Sequence, residues 1–334
     1  RVGKIPYKKH SLLMNILCIT PIDHLPEVKQ ELNSLGVLNI IEDPTLEEIS
    51  EELKIADIIF TNPNKSKIFI GEELVKISPN LKIVCTASTG TNHIDKDLLQ
   101  AKNIQVISIT IEKDVIEKIS STAEHALALT FSSLRSVQES FDSVKRGEWD
   151  YTPYIGRQFD NLCVGIVGLG RLGSMYARFV KPLAKKIVYY DPYVSSDDPE
   201  LTKAESLEEL FGVSDIVSLH VHVTHDTIGL VNQEVLRLAK EDLLLVNTSR
   251  GEIVNEANLV KFLKKNKNSK YMTDVISNEI TSRKQSPIFK EFKNQDTDNQ
   301  IFITPHIGGM THDARYLAYH QSVSSLIRYH FGRE

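Results

Sequence analysis

Between residues 163 and 191 the chain carries a pattern that few folds accommodate. An apolar run, Cys163-Val164-Gly165-Ile166-Val167, leads into Gly168-Leu169-Gly170-Arg171-Leu172-Gly173, and a second run, Ile187-Val188-Tyr189-Tyr190, closes on Asp191. In between, Leu172, Tyr176, Phe179, Val180 and Leu183 recur at helical spacing, so the order strand, tight turn, helix, strand is predicted. The glycines let the backbone turn sharply and approach a ligand, and the helix that follows points unpaired amides at an anion. A carboxylate ending the second strand accepts hydrogen bonds from ribose hydroxyls and repels a 2′-phosphate. Gly168, Gly170, Arg171, Leu172, Gly173 and Asp191 are therefore candidates to bind a dinucleotide, NAD rather than NADP. A glycine-rich turn alone arises for steric reasons; the amphipathic helix and the placed acid give this one its weight.

The same alternation runs through most of the chain. Strands are expected at Ile16–Ile19, Val37–Ile40, Ile58–Phe60, Ile83–Cys85 and Val106–Ile109, with helical segments between them. A second set is expected at Cys163–Val167, Ile187–Tyr190, Ile216–Leu219, Leu243–Val246, Tyr271–Val275 and Ile301–Thr304. Such alternation predicts an α/β fold of two Rossmann-like domains with parallel sheets. The chain length of 334 residues leaves room for both cores. The first domain is read as discontinuous, residues 14–115 and 305–334, completed by a C-terminal helix from Thr311 to about Tyr329; the second spans 116–304. Residues 1–13 read as a flexible arm or a non-native addition before Met14. Ser121-Thr122-Ala123-Glu124 fits a capping box opening one long helix that ends at Gly147, with Leu127, Phe131, Leu134, Val137, Phe141 and Val144 along one apolar face. Trp149 is expected to pack at the domain junction, with a subunit contact as the alternative, and the polar stretch 281–300 to form a solvated surface insertion.

Composition narrows the partners. A net charge of −5 gives no electrostatic reason to expect nucleic acid or an anionic membrane surface. No apolar stretch is long enough to span a bilayer. Cys18, Cys85 and Cys163 lie apart in expected buried strands, which suits small core residues in a reducing cytoplasm, and no Cys/His cluster suggests a metal.

Three residues near strand ends have side chains suited to chemistry: Arg250 in Val246-Asn247-Thr248-Ser249-Arg250-Gly251, Glu279 after Asp274-Val275, and His306 in Thr304-Pro305-His306-Ile307-Gly308-Gly309. Singly, each is more simply a surface residue or a structural hydrogen-bonder. In company with Ser88-Thr89-Gly90-Thr91-Asn92-His93-Ile94-Asp95, Thr122-Ala123-Glu124-His125, the glycine-rich unit and Asp215-Ile216-Val217-Ser218-Leu219-His220, they make a sequence that resembles the D-isomer-specific 2-hydroxyacid dehydrogenases, from about Met14 to the C-terminus. The resemblance implies that 14–115 with 305–334 binds substrate and that 116–304 binds NAD. It implies His306 as acid/base, Glu279 as the carboxylate orienting it, and Arg250 as the guanidinium gripping the substrate carboxylate. Ser88, Thr89 and Gly90 would hold that carboxylate by their amides. Thr248, Ser249, Asp274, His306 and Gly308 would join the cofactor site. These roles fit the reaction, because hydride transfer to a 2-oxo acid leaves charge on the carbonyl oxygen that a proton donor must meet.

The match departs from the family in places. Ile280 stands where proline is common, which leaves Glu252 as a fallback acid; Met310 replaces a smaller residue; Thr86 stands where some members use an arginine for a substrate phosphate. His222 occupies a usual proline position, bordering the cofactor or filling a turn, and turn packing is favoured. His93 is a candidate for touching substrate, and His125 reads as structural. The expected protein is a cytoplasmic, homodimeric NAD-dependent oxidoreductase acting on a small 2-hydroxy acid, with glycerate/hydroxypyruvate or 3-phosphoglycerate favoured. A non-catalytic NAD(H)-sensing protein on the same scaffold is the alternative.

Overall fold

The computed structural model describes residues 13–63, 68–91, 93–111, 113–279, 282–294 and 299–331. The expectations for the arm before Leu13, for Asn92, for Ile280 and for parts of the 281–300 stretch lie outside the described residues. Two compact units emerge, residues 1–119 with 312–334, and residues 120–311.

In the first unit β1 (Met14–Cys18), α1 (Pro26–Leu35), β2 (Gly36–Ile40), α2 (Ser50–Ile55), β3 (Ile58–Thr61), α3 (Glu72–Ile77), β4 (Ile83–Thr86), α4 (Lys96–Ala101), β5 (Gln105–Ser108) and α5 (Lys113–Ile116) follow in turn. The five strands are parallel in the order β2-β1-β3-β4-β5. Because side chains alternate across a strand, Ile16, Ile58, Phe60, Ile83 and Ile107 pack on one face while Leu17, Ile59 and Val84 pack on the other. The first face is covered by Val28, Leu32 and Leu35 of α1 together with Tyr319, Val323 and Leu326 of the chain's last helix, which makes this unit discontinuous.

The second unit contains α6 (Ser121–Leu134), α7 (Val137–Lys145), β6 (Cys163–Val167), α8 (Arg171–Val180), β7 (Lys186–Tyr190), β8 (Leu201–Lys203), α9 (Leu207–Val213), β9 (Ile216–Leu219), α10 (Gln233–Leu238), β10 (Leu244–Asn247), α11 (Glu256–Lys265), β11 (Lys270–Thr273), α12 (Pro287–Asn294) and β12 (Ile301–Ile303). The last helix, α13 (His312–Phe331), belongs to the first unit. Seven parallel strands run β12-β11-β10-β9-β6-β7-β8. Chain order reverses between β6 and β9, and ligands of such sheets sit outside the strand carboxyl ends at this switch point. Val164, Ile166, Ile216 and Val246 fill one face, and Val167, Val217, Leu219 and Leu245 the other, so both faces are buried as a parallel sheet requires.

Several expectations need correction. The long helix is two: Ser136 adopts φ 46°, in the left-handed region, and the carbonyl of Leu134 accepts the Arg157 amide (3.2 Å) instead of continuing the ladder. Its buried face is Ala123, Ala126, Leu129 and Thr130, whereas Val137, Phe141 and Val144 are exposed. The capping box does not form; Ser121 Oγ is buried without a hydrogen-bond partner, and Ser120 at the N-cap donates instead to Glu124 (2.5 Å). Trp149 does not pack and is 90% exposed. Within the 281–300 stretch α12 buries Ile288 and pairs Glu291 with Lys264 at 2.9 Å, so this part is anchored rather than solvated.

Candidate active site

Every candidate side chain of the second unit follows the carboxyl end of a strand: Gly168 after β6, Asp191 after β7, His220 after β9, Thr248 to Arg250 after β10, Asp274 after β11, and Thr304 to His306 after β12. In an all-parallel sheet these ends lie along one edge, which explains how positions far apart in sequence share a neighbourhood.

The glycines of the turn have separate reasons. Gly168 has φ 88°, and a Cβ there would lie 2.7 Å from the His220 carbonyl. At Gly173 a Cβ would lie 1.9 Å from the Gly168 carbonyl, so α8 packs directly on the turn. Gly170 meets nothing within 4 Å; it caps α8 and leaves open the space that a pyrophosphate would need. Asp191 is buried and braces the turn: Oδ2 accepts the Leu169 amide (2.8 Å), and Oδ1 accepts the amides of Tyr193 (2.9 Å) and Val194 (3.0 Å). A carboxylate offers about four lone-pair directions, so a position on Oδ2 stays available to a ribose hydroxyl. Thr248 Oγ1 is buried with no hydrogen-bond partner beside this edge. An open cradle at a helix start and an orphaned hydroxyl both fit a bound NAD.

His220 lies beneath the turn, its Nε2 2.9 Å from Ser218 Oγ, and burial pushes its pKa down to about 3, so it is neutral. His222 is exposed, with its carbonyl taken by Thr227 Oγ1 (2.6 Å) in a turn.

Glu279 and His306 meet. His306 Nδ1 stands 2.6 Å from Glu279 Oε1, with both side chains partly exposed. An ionised carboxylate only accepts, so Nδ1 carries a proton and Nε2 is left to give or take another. The loop holding the imidazole is strained, because His306 has φ 57°, which costs a residue other than glycine about 1–3 kcal/mol. Asp274 holds it. Only 2% exposed, its carboxylate accepts the Thr304 hydroxyl (2.5 Å) and the amides of Ile307 (2.8 Å) and Gly308 (2.7 Å). Burial alone would raise its pKa, but hydrogen bonds from His125, Thr304 and these amides prevail and hold it below the ordinary carboxylate value.

Arg250 is fixed by its turn and by the loop leading to Glu279. Asn247 Oδ1 accepts the Ser249 amide (3.0 Å), Asn247 Nδ2 donates to the Arg250 carbonyl (2.9 Å), and Ser249 Oγ donates to the Leu219 carbonyl (2.6 Å). The Arg250 guanidinium donates to the Ser249 carbonyl (2.6 Å). Next to it, a Cβ on Gly251 would lie 2.0 Å from the Ile276 backbone, so the two loops touch. Glu252 accepts the Asn278 amide (3.2 Å) and buried Glu256 accepts the Ser277 amide (2.7 Å). Glu252 is thus a loop brace, while Glu279 is the acid on the imidazole. Gly251, Glu256 and Thr304 were not singled out by the sequence reading; a glycine directly after Arg250 was the available signal for the first.

In the first unit, His93 is buried, which corrects the expectation that it touches substrate. Its Nε2 lies 3.2 Å from Thr86 Oγ1, which lies 2.8 Å from Ser88 Oγ, which donates to the Gly90 carbonyl (2.7 Å). This relay shapes the Ser88-Thr89-Gly90 turn.

Residues 127–308 match the family model described as D-isomer specific 2-hydroxyacid dehydrogenase, NAD binding domain. The chain is 31% identical over 253 residues to D-3-phosphoglycerate dehydrogenase of Archaeoglobus fulgidus, covering 75% of this chain and 46% of the relative. With that of Methanocaldococcus jannaschii it shares 27% over 309 residues, 92% of this chain and 55% of the relative. The chain spans about half the length of the curated relatives it matches. A solved structure of D-lactate dehydrogenase from Aquifex aeolicus, complexed with NAD and lactic acid, superposes with a TM-score of 0.79 at 27% identity, covering 95% of this chain and 96% of the other.

Proposed function

This chain belongs to the D-isomer specific 2-hydroxyacid dehydrogenase family, and we propose that it interconverts a D-2-hydroxy acid and its 2-oxo acid with NAD. The observation that carries the reading is the 2.6 Å contact of Glu279 with His306, on loops at the strand ends that also present Arg250. Bound at Gly168, Gly170, Arg171, Leu172, Gly173, Asp191, Thr248, Ser249, Asp274 and Gly308, NAD supplies the hydride chemistry. Arg250 grips the substrate carboxylate with its two-pronged guanidinium, and in the first unit the Ser88-Thr89-Gly90 turn is the proposed substrate-binding segment. His306 Nε2 takes the hydroxyl proton in oxidation and returns it to the carbonyl oxygen in reduction. Glu279 keeps the ring in the tautomer that leaves Nε2 for this task.

Hydroxypyruvate/glycerate and 3-phosphoglycerate are the substrates we favour; the names of the curated relatives support the second. A cytoplasmic setting agrees with the three unpaired cysteines, and burial pushes the thiols of Cys18 and Cys85 upward, away from reactivity. A homodimer agrees with the exposed apolar face of α7.

The test is oxidation of NADH with hydroxypyruvate, 3-phosphohydroxypyruvate, pyruvate and glyoxylate. Turnover with one of them is expected, and Arg250→Ala should lower kcat/KM by about 10²–10³-fold while NADH binding is kept. Tight NADH binding with no turnover across the panel would leave a nucleotide-sensing role instead.

A further inference from the structure

We propose that His125, on α6, is a positioning residue for the loop that carries His306, acting by a hydrogen-bond relay through Thr304 to Asp274. The inference rests on the acid–base role given above to His306. Thr304 Oγ1 has one proton, and it goes to Asp274 Oδ1 at 2.5 Å, because an ionised carboxylate can only accept. Thr304 Oγ1 must then accept from its other close partner, His125 Nε2, at 3.0 Å. So Nε2 carries a proton whenever Asp274 is ionised, in a neutral ring or in an imidazolium. The same nitrogen lies 3.5 Å from Asp274 Oδ1, which adds a direct attraction when the ring is charged.

What this relay steadies is the loop backbone. Asp274 also accepts the amides of Ile307 and Gly308, the two residues after the left-handed His306. A Cβ on Gly308 would lie 3.0 Å from Asp274 Oδ2 and 3.7 Å from His125 Cδ2, so loop, carboxylate and ring are in mutual contact. Among the described residues, the hydrogen bonds that oppose the effect of burial and favour the ionised Asp274 come from those two amides, from Thr304 and from His125. Loss of its N–H weakens the hold on the carboxylate. Asp274 then takes up a proton at a higher pH, and with that proton it releases the loop.

The test compares the full chain with His125→Gln, which keeps an N–H near the same place, His125→Leu, which removes it, and Thr304→Val, which cuts the relay from the other side. Hydrogen exchange at the amides of Ile307 and Gly308, read by NMR, is expected to speed up about tenfold or more in His125→Leu and Thr304→Val, with β6 amides unchanged. In His125→Gln it should stay within about threefold of the parent. In turnover, His125→Leu should lower kcat about tenfold, and the acid limb of its pH profile should move to higher pH. Parental exchange in both His125→Leu and Thr304→Val, or a Gln variant as fast as the Leu variant, overturns the proposal. If the parent oxidises no NADH, the proposed function fails while the exchange result still decides the positioning role. If the parent is active and loop exchange is unmoved, the positioning role alone fails.

Discussion

Gly168 and Gly170 sit two residues apart and answer to different constraints, so substitutions should separate them. Gly168→Ala forces a side chain onto φ 88° and toward the His220 carbonyl, and is expected to destabilise the protein by more than about 1 kcal/mol. At Gly170 an added Cβ meets no protein atom within 4 Å, so Gly170→Val should lower the melting temperature less than Gly168→Ala does, yet weaken NADH at least about tenfold by filling the pyrophosphate space. Thermal unfolding and NADH titration of both variants check this; a Gly170→Val protein that binds NADH like the parent would remove the turn from the cofactor site. Arg250, Glu279 and His306 could be proposed from the sequence because side-chain type and flanking residues are local signals. The duties of Thr304, Gly251 and Glu256 could not, since each depends on a contact with a segment some 20 to 30 residues away that no local pattern encodes.

At the level of elements, one device appears in both units. Asp215, opening β9, accepts the Cys163 amide of β6 (2.8 Å) and pairs with Arg157 (2.9 Å) and Lys240 (3.0 Å). Asp57, opening β3, does the same in the first unit with the Asn15 amide (2.9 Å) and Lys82 (2.8 Å). Each locks the start of a central strand to its neighbour. For Asp215, burial opposes ionisation, but the Cys163 amide, Lys240 and Arg157 outweigh it and lower the pKa. A carboxylate with a depressed folded pKa stabilises the fold above its unfolded pKa, near 3.8, and the benefit fades as pH falls through the folded value. Asp215→Asn should therefore cost about 3 kcal/mol near neutral pH and far less in acid, measured by denaturant unfolding at both. An equal loss at both pH values would assign the effect to packing instead. The strand pattern was readable because these parallel strands are apolar on both faces. The break at Ser136 was not, because it depends on Arg157 capturing the Leu134 carbonyl; α12 hid among charged residues, and β8 is a short edge strand with exposed Thr202 and Lys203.

For the whole molecule, Val137, Phe141 and Val144 of α7 lie exposed, as do Trp149, Tyr151 and Ile155 in the segment that follows. Such an apolar surface is costly in water, and it is the face to which the proposed homodimer is assigned. Phe141→Glu should shift a sedimenting dimer toward monomer, whereas a parent that sediments as monomer refutes the assignment. The α/β class and the two parallel sheets were legible from alternation alone, since each βα step is a local pattern. A subunit contact on this helix was expected from its length and from the family resemblance, because the spacing that marked Val137, Phe141 and Val144 as apolar carries no information about what covers them. The account as a whole depends on an imidazole that moves a proton while a carboxylate holds its far side. Its most direct test is NADH oxidation by His306→Gln, set beside the parent across pH with the 2-oxo acid that the parent turns over best. The expected result is a kcat lower by about 10²–10⁴-fold at every pH with NADH binding unchanged; a variant that keeps the parent's rate and pH profile would contradict it.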